Sequence, residues 1–183
     1  MLKGPRITLR AITRDDLPRY VAWFNDVEVI RHLTAYLPMN PDNESEWYDR
    51  QRKDPTVLNF AIETETGEHI GSVGLMYLDH RNQSAELGIV IGAKEHWGKG
   101  YGREAITVLL EYGFHTLNLN RIALRVDADH PAAIRCYKNC GFVMEGEMRQ
   151  VIFREGKFFN QYLMSVLREE YEGESGKTAK GSV

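Results

Sequence analysis

The sequence predicts one mixed α/β domain, and three observations carry that prediction. Segments of period two interleave along the chain with segments of helical period, so strands and helices alternate. An apolar run, Leu87 to Ile91, leads through three alternating glycines into an uninterrupted helical pattern. The 183 residues are 43% hydrophobic and 27% charged, ordinary for a soluble globular protein and enough for one real core.

The elements follow in order. Arg6-Ile7-Thr8-Leu9-Arg10 alternates polar and apolar, as a half-buried strand does. Leu17, Tyr20, Val21 and Phe24 recur at helical spacing; Thr13 or Asp15 suits the cap, and Pro18 belongs to the first turn. Residues 27–40 show no clean period, mixing Val29, Ile30, Leu33 and Leu37 with polar residues up to Pro38. Asn43 to Arg52 reads as a polar helix with Trp47 as inward anchor. Its acids Asp42, Glu44, Glu46 and Asp49 fit a solvated face near a helix N-terminus, or a surface that attracts a cationic substrate.

Strands are expected at Val57–Thr64, Ile70–Leu78 and Ser84–Ile91, turned by Glu65-Thr66-Gly67-Glu68 and by Asp79 to Gln83. Arg103 to Leu119 is a helix whose stripe is Ile106, Leu109, Leu110, Gly113, Phe114 and Leu117. Arg121 to Asp127 alternates Ile122, Leu124 and Val126 inward. Pro131 opens a short helix with Ala133, Ile134 and Tyr137 on its apolar side, and Gly141 stops it. Phe142–Phe153 and Phe158–Leu167 form a last pair of strands around Arg154-Glu155-Gly156-Lys157. The domain is thus expected over 6–170, with 171–183 a disordered tail, aperiodic from Gly173.

The stretch Trp97-Gly98-Lys99-Gly100-Tyr101-Gly102-Arg103 joins strand to helix. Glycine lets backbone approach a ligand closely. Unpaired N–H groups and the helix dipole favour an anion at a helix N-terminus, and Lys99 and Arg103 add charge there. The spacing is neither that of the P-loop nor that of the dinucleotide fingerprint, and a bare glycine turn before a helix is structural more often than not.

Composition excludes several classes. A net charge of −3 argues against general nucleic-acid binding. No apolar run approaches a membrane span, and the first residues lack the apolar stretch of a signal peptide. Cys136 and Cys140 make no disulfide framework, and the six histidines (32, 69, 80, 96, 115, 130) show no metal-ligand spacing. A cytoplasmic enzyme fits these limits.

Trp97-Gly98-Lys99-Gly100-Tyr101-Gly102-Arg103-Glu104-Ala105, followed by His130-Pro131-Ala132-Ala133-Ile134-Arg135-Cys136-Tyr137-Lys138-Asn139-Cys140-Gly141-Phe142, resembles the two motifs of the GNAT superfamily of N-acetyltransferases. Gly100 and Gly102 take the small places of the first motif; Ala133, Tyr137, Gly141 and Phe142 meet the second. Trp97 replaces the usual Gln or Arg, and His130 the usual Asn. Similarity to the branch of spermidine and ribosomal-protein N-terminal acetyltransferases is carried by Thr8-Leu9-Arg10-Ala11, Ser84-Ala85-Glu86 and Met164-Ser165-Val166-Leu167-Arg168-Glu169-Glu170.

The resemblance implies a strongly bent, mostly antiparallel sheet with helices on both faces, splitting where the strand at 84–91 parts from that at 121–127. It implies acetyl-CoA as donor, no metal, direct transfer, and a primary amine as acceptor: a polyamine first, a peptide N-terminus or an antibiotic amine otherwise. It also implies a homodimer or larger homo-oligomer, with the hairpin 142–167 as a contact. Cofactor contacts are expected from Ile89, Val90, Ile91, Trp97, Gly98, Lys99, Gly100, Tyr101, Gly102, Arg103, His130, Ala133 and Lys138.

Tyr137 is expected beside the thioester sulfur, where a phenol, protonated at neutral pH, can donate to the leaving thiolate. Glu86 is the candidate for taking the amine's proton or holding its ammonium, because a carboxylate in an apolar strand wants a partner or a purpose. A core tyrosine and a salt-bridged strand glutamate are the structural readings of the same two residues. Cys136 and Cys140 lie one helical turn apart but read as packing. Trp23, Trp47, Tyr77, Phe158 and Phe159 are expected in core or interface. A non-catalytic acyl-CoA sensor is the competing class.

Overall fold

The computed structural model describes residues 1–172. One eight-stranded sheet runs in the order β1-β2-β3-β4-β5-β6-β8-β7. Its strands are β1 (Leu2–Lys3), β2 (Ile7–Ala11), β3 (Leu58–Thr64), β4 (His69–Asp79), β5 (Ser84–Ile91), β6 (Arg121–Asp127), β7 (Val143–Arg154) and β8 (Lys157–Leu167). Every neighbouring pair is antiparallel except β5 with β6. That parallel pair is joined through α4 (Tyr101–His115), as a parallel connection requires. The remaining helices are α1 (Leu17–Phe24), α2 (Val27–Ile30), α3 (Pro41–Gln51) and α5 (Pro131–Lys138).

Period two divides the core between the sheet's faces. Leu9, Ile62, Val73, Leu75, Leu87, Ile122, Leu124 and Met164 pack with Ile106, Leu109, Leu110 and Phe114 of α4 in the larger core. Ile12, Leu17, Tyr20, Tyr48 and Ala61 form a smaller core under α1 and α3. Each fully buried side chain of this size stabilises the fold by about 1.5–3 kcal/mol. No described helix is long and apolar enough to cross a membrane.

The fold departs from the sequence reading in places. The long helix starts at Tyr101, two residues early, because Gly100 adopts φ 87° and ends the loop itself. Within 27–40 a short α2 forms, capped by the Asp26 carboxylate, which accepts from the Glu28 N–H at 2.9 Å. Neither Thr13 nor Asp15 caps α1: Thr13 opens the 3-10 turn Arg14–Asp16 that precedes it, donating its N–H to Asp16 at 2.8 Å.

In α3 the inward anchors are Tyr48 and Glu44, the latter 1% exposed; Trp47 is only partly buried against the small core. So the acids of 42–49 do not form one face. Tyr77, at φ 54°, and Phe158 point outward and belong to no core. Tyr171 packs on Phe114 and donates to Glu111 at 3.1 Å, which extends the domain through it; the tail from Gly173 lies outside the described residues.

Candidate active site

The parallel ladder between β5 and β6 lasts for only three register pairs, Ser84↔Arg121, Ala85↔Ile122 and Glu86↔Ala123. Beyond them Leu87 to Ile91 keep their partners on β4, and Leu124 to Asp127 keep theirs on β8. The sheet therefore splits, and each strand turns one backbone edge into the cleft. Ile89, Val90 and Ile91 are half-buried along one edge. An extended ligand can pair there as an added strand does.

The glycine loop closes the open end of that cleft. Gly98 and Gly100 have φ of 72° and 87°, values at which a side chain is strained. A Cβ on Gly98 would meet nothing within 4 Å, so the loop faces open space. Between Gly98 and Arg103 no backbone N–H donates to an acceptor among the described residues; the first such bond of α4 runs from Glu104 to the Gly100 carbonyl at 3.1 Å. Successive N–H groups at a helix N-terminus are a fit for phosphate oxygens.

Trp97 anchors the loop, donating from Nε1 to the Ile91 carbonyl at 2.7 Å. It thus takes an acceptor at the end of β5 and offers the ligand no side-chain group of the Gln or Arg kind. Lys99 and Arg103 are exposed beside the loop.

Tyr137 sits on α5, which packs beside α4. Its ring packs edge-on to Phe142 with centroids 5.9 Å apart, against the larger core. Its hydroxyl makes no hydrogen bond among the described residues. Burial, with Cys136 and Cys140 beside it, pushes the phenol above its usual range, so it is protonated at neutral pH. Cys140 donates its thiol to the Arg103 carbonyl at 3.8 Å, tying α5 to α4. The hydrogen bond between the two thiols pushes Cys140 up and draws Cys136 down. Ala133 is half-buried against the core and Lys138 is exposed.

His130 gives α5 no side-chain cap. Its ring stacks on His32 at 4.1 Å, and burial lowers its pKa first, then the nearby His32. His32 Nδ1 lies 3.0 Å from Asp127 Oδ2, and Arg154 joins the cluster with Nη1 2.6 Å from Asp127 and Nη2 2.6 Å from Asp129. Burial alone would raise Asp127, but hydrogen bonds from Gln161, His32 and Arg154 hold it below the ordinary carboxylate range. His32, Asp127 and Asp129 are close enough to share a metal ion, as are Glu68, Glu95 and His96. In the first trio the guanidinium of Arg154 already supplies the cation.

Glu86 lies on the strand face opposite Ala85 and Leu87, as alternation requires. Its carboxylate meets Arg125 in a forked contact, Nε to Oε1 at 3.0 Å and Nη2 to Oε2 at 3.1 Å. It is the last β5 residue paired to β6, and so marks the apex of the cleft. The loop follows the open β5 edge and Glu86 stands where β5 leaves β6; His130 belongs with Arg154, His32 and Asp127 at the far end of β6.

Three arginines escaped sequence reasoning: Arg6 and Arg125 beside the cleft, and Arg154 in the cluster at the far end of β6. Only Arg125 carried a signal, lying on a strand at the same face alternation as a pairing partner of Glu86.

Residues 6–143 match the acetyltransferase (GNAT) domain model. The chain belongs to the GNAT acetyltransferase family. It is 34% identical to the spermidine N(1)-acetyltransferase of Vibrio cholerae over 170 residues, covering 91% of this chain and 95% of that one. It is 31% identical to the uncharacterised N-acetyltransferase p20 of Bacillus licheniformis over 173 residues, covering 92% and 96%. The crystal structure of the Vibrio cholerae spermidine N-acetyltransferase in complex with CoA and spermine superposes with a TM-score of 0.86 at 32% identity, covering 91% of this chain and 98% of that one. The split, mostly antiparallel sheet is thus the GNAT fold, and the chain is an acyltransferase that uses acetyl-CoA.

Proposed function

We propose that this GNAT enzyme acetylates a primary amine of a polyamine such as spermidine, by direct transfer. The run of undonated N–H groups from Gly98 to Arg103, set at the mouth of the split sheet, carries the reading. The spermidine acetyltransferases among the relatives, similar over nearly the full chain, support the acceptor.

The residues divide the work. Gly98 to Arg103 hold the donor's phosphates, and its extended arm pairs along Ile89 to Ile91. A backbone N–H of that edge stabilises the negative charge that develops on the acetyl oxygen. An alkylammonium has a pKa of about 10 and no lone pair, so it must lose a proton before it attacks the acetyl carbon. Glu86 keeps lone pairs beyond the two that Arg125 takes. We assign it the ammonium, with water carrying off the proton. As the new C–N bond forms and the C–S bond breaks, Tyr137 gives its proton to the departing sulfur.

Release of free thiol from acetyl-CoA over spermidine, spermine, putrescine, N-terminal peptides and aminoglycosides tests the proposal. Turnover with the polyamines alone is expected. Turnover with peptides alone overturns the acceptor, and binding of acetyl-CoA without any turnover favours a sensor.

One observation favours the peptide N-terminus. A cavity of about 370 Å³ lies between residues 27–36 and 151–155, lined mainly by apolar side chains such as Ile30, Leu33, Tyr36, Val151 and Phe153, with the cations Arg31 and Arg154 against the single acid Glu155. Such walls suit apolar side chains better than a second ammonium. We also place the enzyme in the cytoplasm, as a homodimer or larger assembly. Exposed Val143, Met144, Val151, Phe153 and Phe158 on the β7–β8 hairpin support that contact, which sedimentation will test.

A further inference from the structure

We infer that Arg6, at the entry to β2 and outside both family motifs, is a positioning residue of the phosphate cradle. The inference rests on the reading of Gly98 to Arg103 as that cradle. Arg6 lies more than ninety positions before the loop in sequence, yet it contacts the loop at every level. Its backbone N–H donates to Glu104 Oε1 at 2.6 Å, and its Nε donates to Glu104 Oε2 at 3.0 Å. Its Nη1 donates to the Lys99 carbonyl at 3.1 Å. Its guanidinium lies 4.8 Å over the Tyr101 ring centroid, and its Nη2 would be 3.3 Å from a Cβ on Gly100.

Each contact has a consequence for an anion at the loop. Where amides converge on a ligand, the intervening carbonyls must turn away and be satisfied. Arg6 takes that of Lys99. Glu104 sits in the first turn of α4, where its charge would repel a phosphate beside it. The forked contact with Arg6 neutralises it, and Glu104 is held largely buried with a side-chain exposure of 11%. The Arg6 side chain stays 44% exposed, and its Nη2 makes no hydrogen bond among the described residues, so it is free to face the phosphates. The close approach of Gly4 completes the arrangement, since a Cβ there would press on Glu104 Oε1.

The test is calorimetric binding of CoA, 3′-dephospho-CoA and pantetheine to the full chain and to Arg6→Ala, Arg6→Lys, Arg6→Ala/Glu104→Gln and Gly100→Val, with thermal midpoints as a fold check. Arg6→Ala is expected to weaken CoA roughly tenfold and to leave pantetheine, which has no pyrophosphate, unchanged. Arg6→Lys recovers part of the loss, and adding Glu104→Gln to Arg6→Ala recovers part as well, because the uncompensated carboxylate is gone. An equal loss for CoA and pantetheine, or none for either, overturns the inference. Gly100→Val separates the two readings: if it binds CoA as the natural chain does, the cradle itself is refuted. If it loses CoA while Arg6→Ala retains it, only the role of Arg6 falls.

Discussion

Glu44 sets a pH-dependent stability that Glu44→Gln will remove. The side chain is 1% exposed, on the inner side of α3, and its Oε1 has no hydrogen-bond partner among the described residues. Burial pushes its carboxyl up to about 7 from the ordinary 4.5. An acid whose folded pKa is raised binds its proton more tightly folded than unfolded. Stability is therefore undiminished below pH 4.5, falls as pH rises from there toward 7, and stays low above. The full difference corresponds to roughly 3 kcal/mol, at about 1.4 kcal/mol for each unit. For a chain of this size that is about 6–12 °C in Tm. Glutamine keeps the shape and cannot ionise. The assay is thermal unfolding of both proteins from pH 4 to 9. His69 and His130, whose pKa burial lowers, tilt both curves the opposite way, so the difference between the curves isolates Glu44. Parallel curves, with no gap opening between pH 5 and 8, refute the reasoning.

Three further outcomes are expected. Tyr137→Phe lowers kcat by about 10²–10⁴ and leaves acetyl-CoA affinity within about twofold, by steady-state kinetics and calorimetry; unchanged kcat removes Tyr137 from the chemistry. Glu86→Gln raises the amine KM about tenfold at unchanged donor KM, because a neutral amide holds an ammonium weakly; equal effects on both substrates would mean that Glu86 only braces the strands. Arg154→Met leaves buried Asp127 without its cation and frees the Arg31 carbonyl, which Nη1 holds at 2.8 Å. Urea denaturation should show a loss of about 3–5 kcal/mol, and an unshifted midpoint would mean the cluster is dispensable.

What could be read in advance follows the range of the physics involved. Strand and helix periods are local, so seven of the strands and most helices stand where Ile122-x-Leu124-x-Val126 and its counterparts put them. Gly100 was legible as a loop residue because its positive φ is a property of one residue. The segment 27–40 was not, since its single-turn α2 depends on the Asp26 cap and on Arg154 reaching across from the hairpin to the Arg31 carbonyl. Two-residue β1 exists only because β2 is there to pair with it. Glu44 misled because polar residues at helical spacing read as solvent-facing. Its neighbour Tyr48 fills the pocket at one end of the same stripe, and rotation of the helix takes Glu44 inward with it. Arg6 and Arg154 act across loops and carry no local pattern at all.

The split in the sheet is what would let the proposed acid, Tyr137, and the proposed anchor, Glu86, serve one bond. In an unbroken sheet, side chains on opposite faces are separated by the strands themselves. Tyr137 comes from the face that holds α4 and α5, among Leu87 and the larger core. Glu86 comes from the other face, one residue before Leu87 on the same strand. On the proposed reading both reach the cleft that opens where β5 and β6 part, directly after Glu86↔Ala123. The donor can then lie along the opened edge with its sulfur toward α5, while the amine arrives from the side of α1 and α3. On the α5 face, burial raises the Tyr137 phenol and keeps it protonated, as a proton donor would require. The Glu86 carboxylate is paired with exposed Arg125 on the other face, where the proposed ammonium would be met.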